Sequence, residues 1–167
     1  MSLKKKIFCA LDFSELDQTI QFTNKIKDHI GGIKIGLEFF CKNGPAGVER
    51  MKEFELPIFL DLKLHDIPNT VNKGIKAINK LSPKFTTLHI SGGNEMMKAA
   101  KIKNKKMKIL GVSVLTSLTN SQIRKYYNEK KVELIVNKFV KEALKCNLDG
   151  VVCSPKEIKT VKKIAGK

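Results

Sequence analysis

The sequence predicts an α/β protein in which parallel strands alternate with helices. Short apolar runs rich in β-branched residues recur along the chain, and a stretch of helix length follows each of them. These runs are apolar throughout rather than at every second position, which is typical of strands that helices cover or that close into a barrel. No linker or low-complexity tract divides the 167 residues, so we expect one domain over residues 1–167.

Six strand–helix units can be assigned in order along the chain. The predicted strands are Ile7–Leu11, Gly32–Gly36, Pro57–Lys63, Phe85–Ile90, Lys108–Leu115 and Gly150–Cys153. The predicted helices are Glu15–His29, Glu38–Glu53, Pro68–Leu81, Asn94–Lys103, Glu133–Cys146 and Pro155–Ala165. Ser14 and Ser154 can cap helix starts, while Pro68 and Pro155 suit a first turn, where no backbone donor is needed.

The composition is that of a folded and strongly basic protein. The formal net charge is +16, which would attract nucleic acid, an anionic membrane surface or a phosphorylated substrate. Only two of the 32 basic residues are arginine, and the lysine runs carry no aromatic residues that could stack on bases. We therefore interpret the lysines as solvated surface charge and expect no nucleic-acid partner.

The N-terminus and the cysteines predict a cytoplasmic protein without a metal centre. The apolar run after Lys4, Lys5 and Lys6 is too short for a signal sequence or a membrane span, so no membrane partner is expected. The four cysteines form no CxxC pair, which indicates reduced thiols rather than a zinc site or a disulfide framework.

Polar residues fall where the predicted strands end. In a parallel barrel the carboxyl ends of the strands and the loops after them carry the functional groups. The residues so placed are Asp12 after strand one, Lys34 in strand two, Asp61 and Lys63 in strand three, His89 and Ser91 at strand four, and Thr116 at the end of strand five.

Asp61 and Lys63 are the most informative pair among these residues. They lie two positions apart in a strand, so their side chains should point to the same side. A structural salt bridge is the alternative interpretation, yet burying two ions is costly and seldom the best way to stabilise a strand. Because Asp12 and Lys34 occupy neighbouring strand ends, we predict a charged site at the mouth of the sheet.

Longer motifs connect this pair to a known family. The run DLKLHDIPNT, with ALDF at 10–13, GIKIG at 32–36, HISGG at 89–93, VLTS at 114–117 and DGVVCS at 149–154, resembles the bacterial orotidine 5'-phosphate decarboxylases in order and spacing. The resemblance spans essentially the whole chain. It implies a TIM (β/α)8-barrel fold, a homodimer, and conversion of orotidine 5'-phosphate to UMP and CO2 in pyrimidine biosynthesis.

The resemblance also implies a role for each matching residue. Lys63 would stabilise and protonate a carbanion at C6 of the pyrimidine, and Asp61 would flank it. Asp66 and Thr70 would reach the site from the other subunit. The remaining implied substrate-binding residues are Asp12 and Lys34 at the ribose, together with Ile67 and Thr116.

Such chemistry is physically consistent with the residues alone. A carbanion at C6 has no adjacent electron sink, and the sequence shows no pyridoxal or thiamine motif, so we expect no cofactor and no metal. Fixed charges must then stabilise the transition state, and an ammonium aimed at the developing charge in a water-poor site is a strong means of doing so.

Other features leave alternatives open. His65 and His89 could act as acid–base groups or could be structural residues of the barrel wall. Likewise, Ser91-Gly92-Gly93 could hold a phosphate or form an ordinary strand–helix turn.

The family continues beyond the position that matches Lys167, through two further strands and the loops that grip the substrate phosphate. We therefore expect a domain that lacks strands seven and eight. Truncation of a longer protein explains this better than a natural domain of six units. Whether this chain is active is not predicted by its sequence. Two other functions also remain. One is a magnesium-dependent sugar-phosphate decarboxylase or synthase of the same superfamily. The other is an inactive basic fragment that binds RNA or acidic partners.

Overall fold

The computed structural model describes residues 3–101 and 106–166. Its six strands form one parallel sheet in the order β1-β2-β3-β4-β5-β6, so every strand pairs with its sequence neighbours. The strand bounds are Phe8–Leu11 (β1), Gly32–Gly36 (β2), Ile58–Leu64 (β3), Phe85–His89 (β4), Lys108–Val112 (β5) and Gly150–Val152 (β6). The sheet curls into part of a barrel, which confirms the predicted fold class and strand order.

Helices follow the strands along the chain. Their bounds are Leu16–Ile26 (α1), Leu37–Met51 (α2), Pro68–Lys80 (α3), Gly93–Ala99 (α4), Asn120–Tyr127 (α5), Val132–Lys145 (α6) and Ile158–Ala165 (α7). Short 3-10 turns lie at Leu3–Lys6, Lys27–His29, Lys52–Phe54, Ile90–Gly92 and Pro155–Glu157. In residues 3–101 and 106–166 no helix has the length and apolar character needed to cross a membrane.

The main core lies between the sheet and its helices. Ile33, Ile35 and Leu60 from β2 and β3 are fully buried there, together with Ile75 of α3. Aromatic side chains lie near the amino ends of the strands, where Phe59 and Phe85 pack in a T-shaped, edge-to-face arrangement with ring centroids 5.7 Å apart. Such packing holds the strands in register and leaves their carboxyl ends for polar groups.

Several sequence predictions on individual elements are corrected. A helix, α5, occupies residues that we had not assigned to any element; it begins with a capping box in which Thr119 and Gln122 hydrogen-bond each other. The predicted strand Lys108–Leu115 ends at Val112. The predicted helix Asn94–Lys103 ends at Ala99, and Lys103 lies outside the described residues.

One helix start and one helix interior differ from expectation, and a second helix start agrees with it. Ser14 does not cap α1, since Glu15 occupies the cap position and the Ser14 hydroxyl donates to the Glu15 carboxylate. Glu157 accepts the backbone N–H of Ser154 at 2.9 Å, as expected for a helix start there. The predicted helix Glu38–Glu53 is kinked at Gly44, whose φ is 57°, because the following Pro45 has no N–H to continue the hydrogen-bond ladder.

Candidate active site

A carboxylate between two ammonium groups forms the centre of the candidate site. Asp61 of β3 accepts a hydrogen bond from Lys63 Nζ on its Oδ2 at 2.7 Å. Lys34 Nζ of β2 lies 3.5 Å from the same oxygen. The Asp61 side chain is 10% exposed and that of Lys63 is 40% exposed, so the pair spans the boundary between the sheet interior and the mouth. Of the four residues predicted to cluster at the mouth, the structure brings Lys34, Asp61 and Lys63 together, whereas Asp12 stays outside the cluster.

The backbone of β3 departs from a regular strand at this pair. Leu60 pairs with Thr86 and Leu64 pairs with Leu88, and the register shifts between these two points. Lys63 lies within the shift and has φ = 49°, in the left-handed region that a lysine seldom adopts. Irregularities of this kind redirect side chains next to functional sites. The strand alternation used in the sequence prediction therefore does not by itself explain why the ammonium reaches Asp61.

Thr87 of β4 is a member of this site that sequence reasoning missed. Its hydroxyl donates to Asp61 Oδ1 at 2.8 Å and accepts the backbone N–H of Lys63 at 2.9 Å. The residue is fully buried. Thr87 lies two residues before His89 on the same strand, so both side chains point to one face. This spacing is the feature of the sequence from which a place for Thr87 in the site could have been predicted.

Electrostatics keep Asp61 ionised. Burial raises the pKa of Asp61, but hydrogen bonds from Lys63 and Thr87 and the charges of Lys63 and Lys34 outweigh this effect and hold the pKa below its ordinary value of 3.8. At neutral pH the cluster is therefore a carboxylate flanked by two cations. Such a preorganised group can stabilise a negative charge that develops near Lys63.

The two histidines left open by the sequence meet beside this cluster. His89 ends β4, and its ring centroid is 5.3 Å from that of His65 in the loop after β3. His65 is exposed and His89 is partly buried. Ser91 and Gly92 form a 3-10 turn after β4, and Gly93 begins α4 with φ = 86°.

Other predicted site residues lie at the same end of the sheet without joining the cluster. Asp12 is exposed directly after Leu11, the residue that pairs with Ile35 at the end of β2. Asp66 is exposed and accepts the backbone N–H of Ile67 at 2.6 Å. In the described part of the chain, Asp66 forms no ion pair with Lys63.

The residues that follow Asp66 are exposed. Ile67 precedes α3 with 66% of its surface exposed, and Thr70 is exposed in the first turn of this helix. Pro68 begins the helix as predicted. Asp66, Ile67 and Thr70 thus form one exposed segment, made of the loop after β3 and the first turn of α3.

Thr116 lies outside the group formed by Asp61, Lys63 and Lys34. It does not end β5 as predicted but stands four residues beyond Val112 in the following loop. There it lines a cavity of about 710 Å³ between the segments that follow β5 and β6, together with Val114, Ser154 and Thr160. Neither Asp61 nor Lys63 lines this cavity.

No group of three or more histidine, cysteine, aspartate or glutamate side chains is arranged to hold a metal ion within residues 3–101 and 106–166. The four cysteines are free thiols.

This curled parallel sheet, with a lysine–aspartate–lysine cluster at the carboxyl ends of its strands, defines a (β/α)-barrel protein with a charged site at the barrel mouth. Comparison with known sequences identifies the family of barrel proteins to which the chain belongs. The sequence model of the orotidine 5'-phosphate decarboxylase / HUMPS family matches residues 5–167, and the chain belongs to this family.

Individual relatives agree with this assignment. The chain is 45% identical over 163 residues to an orotidine 5'-phosphate decarboxylase of Wolbachia sp. subsp. Brugia malayi (strain TRS), a match that covers 96% of this chain and 72% of the relative. It is 42% identical to the protein of that name from Sphingopyxis alaskensis, covering 94% of this chain and 70% of the relative. The chain therefore spans about seven tenths of the length of these relatives.

Solved structures share the fold. The orotidine 5'-phosphate decarboxylase from Lactobacillus acidophilus superposes with a TM-score of 0.84 at 34% identity, covering 94% of this chain and 75% of that structure. An uncharacterized conserved protein from Geobacillus kaustophilus superposes with a TM-score of 0.86 at 30% identity, covering 95% of this chain and 78% of that structure.

Proposed function

We propose that the protein is an orotidine 5'-phosphate decarboxylase, a carboxy-lyase that converts orotidine 5'-phosphate to UMP and CO2 in pyrimidine biosynthesis. The observation that carries the proposal is the contact of Lys63 with a buried, ionised Asp61 in a member of this family. The names of the Wolbachia and Sphingopyxis relatives support the same activity.

Lys63 is the catalytic residue in this proposal. The bond between C6 and the carboxylate breaks, its electron pair stays on C6, and CO2 leaves. The Lys63 ammonium stabilises the resulting carbanion by its charge and transfers a proton from Nζ to C6, which gives UMP. Solvent then returns a proton to Lys63. No cofactor supplies an electron sink in this scheme, so fixed charge must lower the barrier.

Asp61 and Asp66 complete the charge network around Lys63. Asp61 holds the Lys63 ammonium in place through the hydrogen bond of 2.7 Å and the opposite charge. We infer that Asp66 approaches the site of the neighbouring subunit, since it is exposed and does not pair with Lys63 in its own chain.

The other predicted residues bind substrate in this proposal. Asp12 and Lys34 hold the ribose hydroxyls at the ends of β1 and β2, and Thr70 reaches the ribose of the partner's site. Ile67 contributes an apolar contact. Thr116 contacts the nucleotide from the loop after β5.

We further propose that the protein is a cytoplasmic homodimer whose binding partner is the nucleotide, with neither nucleic acid nor membrane as a ligand. Free thiols fit a reducing compartment. Exposure of the segment from Asp66 to Thr70 fits a surface that a second subunit covers.

Lys63→Ala tests the catalytic assignment. Loss of the proton donor and of the carbanion's counter-charge should lower kcat on the order of 10⁴-fold or more, with a smaller effect on UMP binding. UMP formation and CO2 release would be measured at several substrate concentrations, with and without a chelator, and circular dichroism would check the fold.

Lys98→Ala is the matched control. Lys98 is an exposed lysine on α4 paired with Glu95 at 2.9 Å, so its removal should leave turnover unchanged. Undiminished turnover by Lys63→Ala, or no UMP formation by the unaltered chain, would contradict the proposal. UMP formation that stops when the chelator is added would contradict the metal-free mechanism assigned to Lys63.

A further inference from the structure

Thr87 contacts both Asp61 and Lys63, the two residues whose separation the candidate site depends on. A threonine hydroxyl has one hydrogen to donate and two lone pairs to accept with. In Thr87 the hydrogen goes to Asp61 Oδ1, and a lone pair receives the Lys63 backbone N–H. One buried hydroxyl therefore holds both the carboxylate and the backbone of the lysine that pairs with it.

The hydroxyl also determines how Asp61 shares its two oxygens. Oδ1 is occupied by Thr87, which leaves Oδ2 to face Lys63 Nζ at 2.7 Å and Lys34 Nζ at 3.5 Å. Without the Thr87 donor the carboxylate could rotate about its terminal bond, since that torsion has only broad preferences. The lysines would then lose a single well-placed acceptor.

The same hydroxyl replaces a missing strand contact. Where β3 and β4 shift register between Leu60 and Leu64, the Lys63 N–H finds its acceptor in a side chain of β4. A lysine keeps a left-handed backbone conformation only when surrounding contacts stabilise that conformation. The bond from Lys63 N–H to Thr87 is such a determinant.

The geometry points to Thr87 as a positioning residue, which sets the direction of the Lys63 ammonium through its bonds to Asp61 and to the Lys63 backbone. This inference rests on the proposed role of Lys63 in decarboxylation. Thr87 itself acts through its two neighbours and not on the substrate.

Thr86 supplies a matched control on the same strand. Both threonines are fully buried, yet within residues 3–101 and 106–166 the Thr86 hydroxyl has no hydrogen-bond partner. Thr86→Val therefore makes the same change of side chain at the adjacent position of β4, on the opposite face of the sheet, without removing a contact to the site. Any general effect of placing valine in β4 should appear in both variants.

Thr87→Val, Thr87→Ser and Thr86→Val would be compared by NMR without substrate. In Thr87→Val the measured pKa of the Asp61 carboxyl should rise and the Lys63 backbone N–H should exchange faster with solvent, because each loses its bond to the hydroxyl. Thr87→Ser keeps the hydroxyl and should restore both values. Thr86→Val should change neither.

Kinetics add a second readout. For Thr87→Val we expect kcat to fall about tenfold, which corresponds to about 1.4 kcal/mol, with KM changed less because the nucleotide contacts remain. If Thr87→Val does not fold, Thr87→Cys removes the hydroxyl while keeping a small side chain whose thiol is only a weak donor and acceptor.

Each outcome decides the inference. Unchanged Asp61 titration and unchanged Lys63 exchange in Thr87→Val would overturn it, as would equal changes in Thr86→Val. A lack of decarboxylation by the unaltered chain would instead contradict the proposed function, and the NMR comparison would still decide whether Thr87 positions Lys63.

Discussion

His89 stands beside the charge cluster and is partly buried, so its imidazole is held in an environment that disfavours the charged form. Burial lowers the pKa of His89 below its ordinary value of 6.5, the neighbouring His65 and Lys63 lower it further, and Asp61 opposes them. The imidazole is therefore neutral in the folded protein at pH values where an unfolded chain would already bind a proton. This makes His89 a source of acid sensitivity.

His89→Gln should reduce that sensitivity. In the wild-type protein the free energy of unfolding should decrease as the pH falls from about 7.5 to about 5, since the unfolded state takes up the proton first. Denaturant titrations across this range should show a shallower decrease for His89→Gln. His29→Gln, at an exposed position after α1, is the control, and the prediction fails if both variants keep the slope of the wild type.

At the scale of elements, close packing of neighbouring strands depends on Gly32 at the start of β2. A Cβ atom at this position would lie 2.6 Å from the Pro57 carbonyl oxygen and would also overlap the ring of Phe8. The phenyl ring can move, but the Pro57 carbonyl accepts the N–H of Ile33 at 3.0 Å and belongs to the backbone that leads into β3. A side chain here must therefore push β2 away from β3.

Gly32→Ala should destabilise the protein by about 1–3 kcal/mol, the usual cost of overpacking. Because β2 carries Lys34, the same displacement should also lengthen its contact with Asp61. Gly36→Ala, at the other end of the strand, is the matched control, as no atom lies within 4 Å of its added Cβ. Equal stabilities of the two variants in urea denaturation would contradict this explanation.

At the scale of the whole molecule, the proposed dimer places part of each site on the partner. Asp66, Ile67 and Thr70 form an exposed segment that, within the described residues, makes no hydrogen bond or ion pair with the Lys63 cluster of its own chain. In a two-fold dimer, each subunit would contribute this segment to the site of the other. The proposal therefore requires two copies for each complete site.

Mixing Lys63→Ala with Asp66→Ala tests this arrangement. Each variant alone should be nearly inactive, but a mixed dimer contains one site with an intact Lys63 and an intact Asp66. Random pairing should then restore about a quarter of wild-type turnover. No restoration in the mixture, or a monomer in sedimentation at micromolar concentration, would exclude the shared site.

Much of this architecture follows from short-range patterns. The apolar runs predict all six strands in order, and Pro68 marks the start of α3 because a proline fits a first helical turn. Asp61 and Lys63 are predicted to come together because strand side chains alternate. The capping pattern from Thr119 to Gln122 also predicts α5, although the sequence interpretation overlooked it.

By itself, then, the sequence determined the parallel sheet, its family and the charged groups at the strand ends, since these depend on residue types within a few positions of one another. Only the tertiary structure decided that Lys63 takes a left-handed backbone, that Thr87 bonds to both Lys63 and Asp61, and that Thr116 lines a cavity to which neither Asp61 nor Lys63 contributes. The physical reason is that contacts across strands depend on register, and register is set by the packing of whole elements rather than by local pattern.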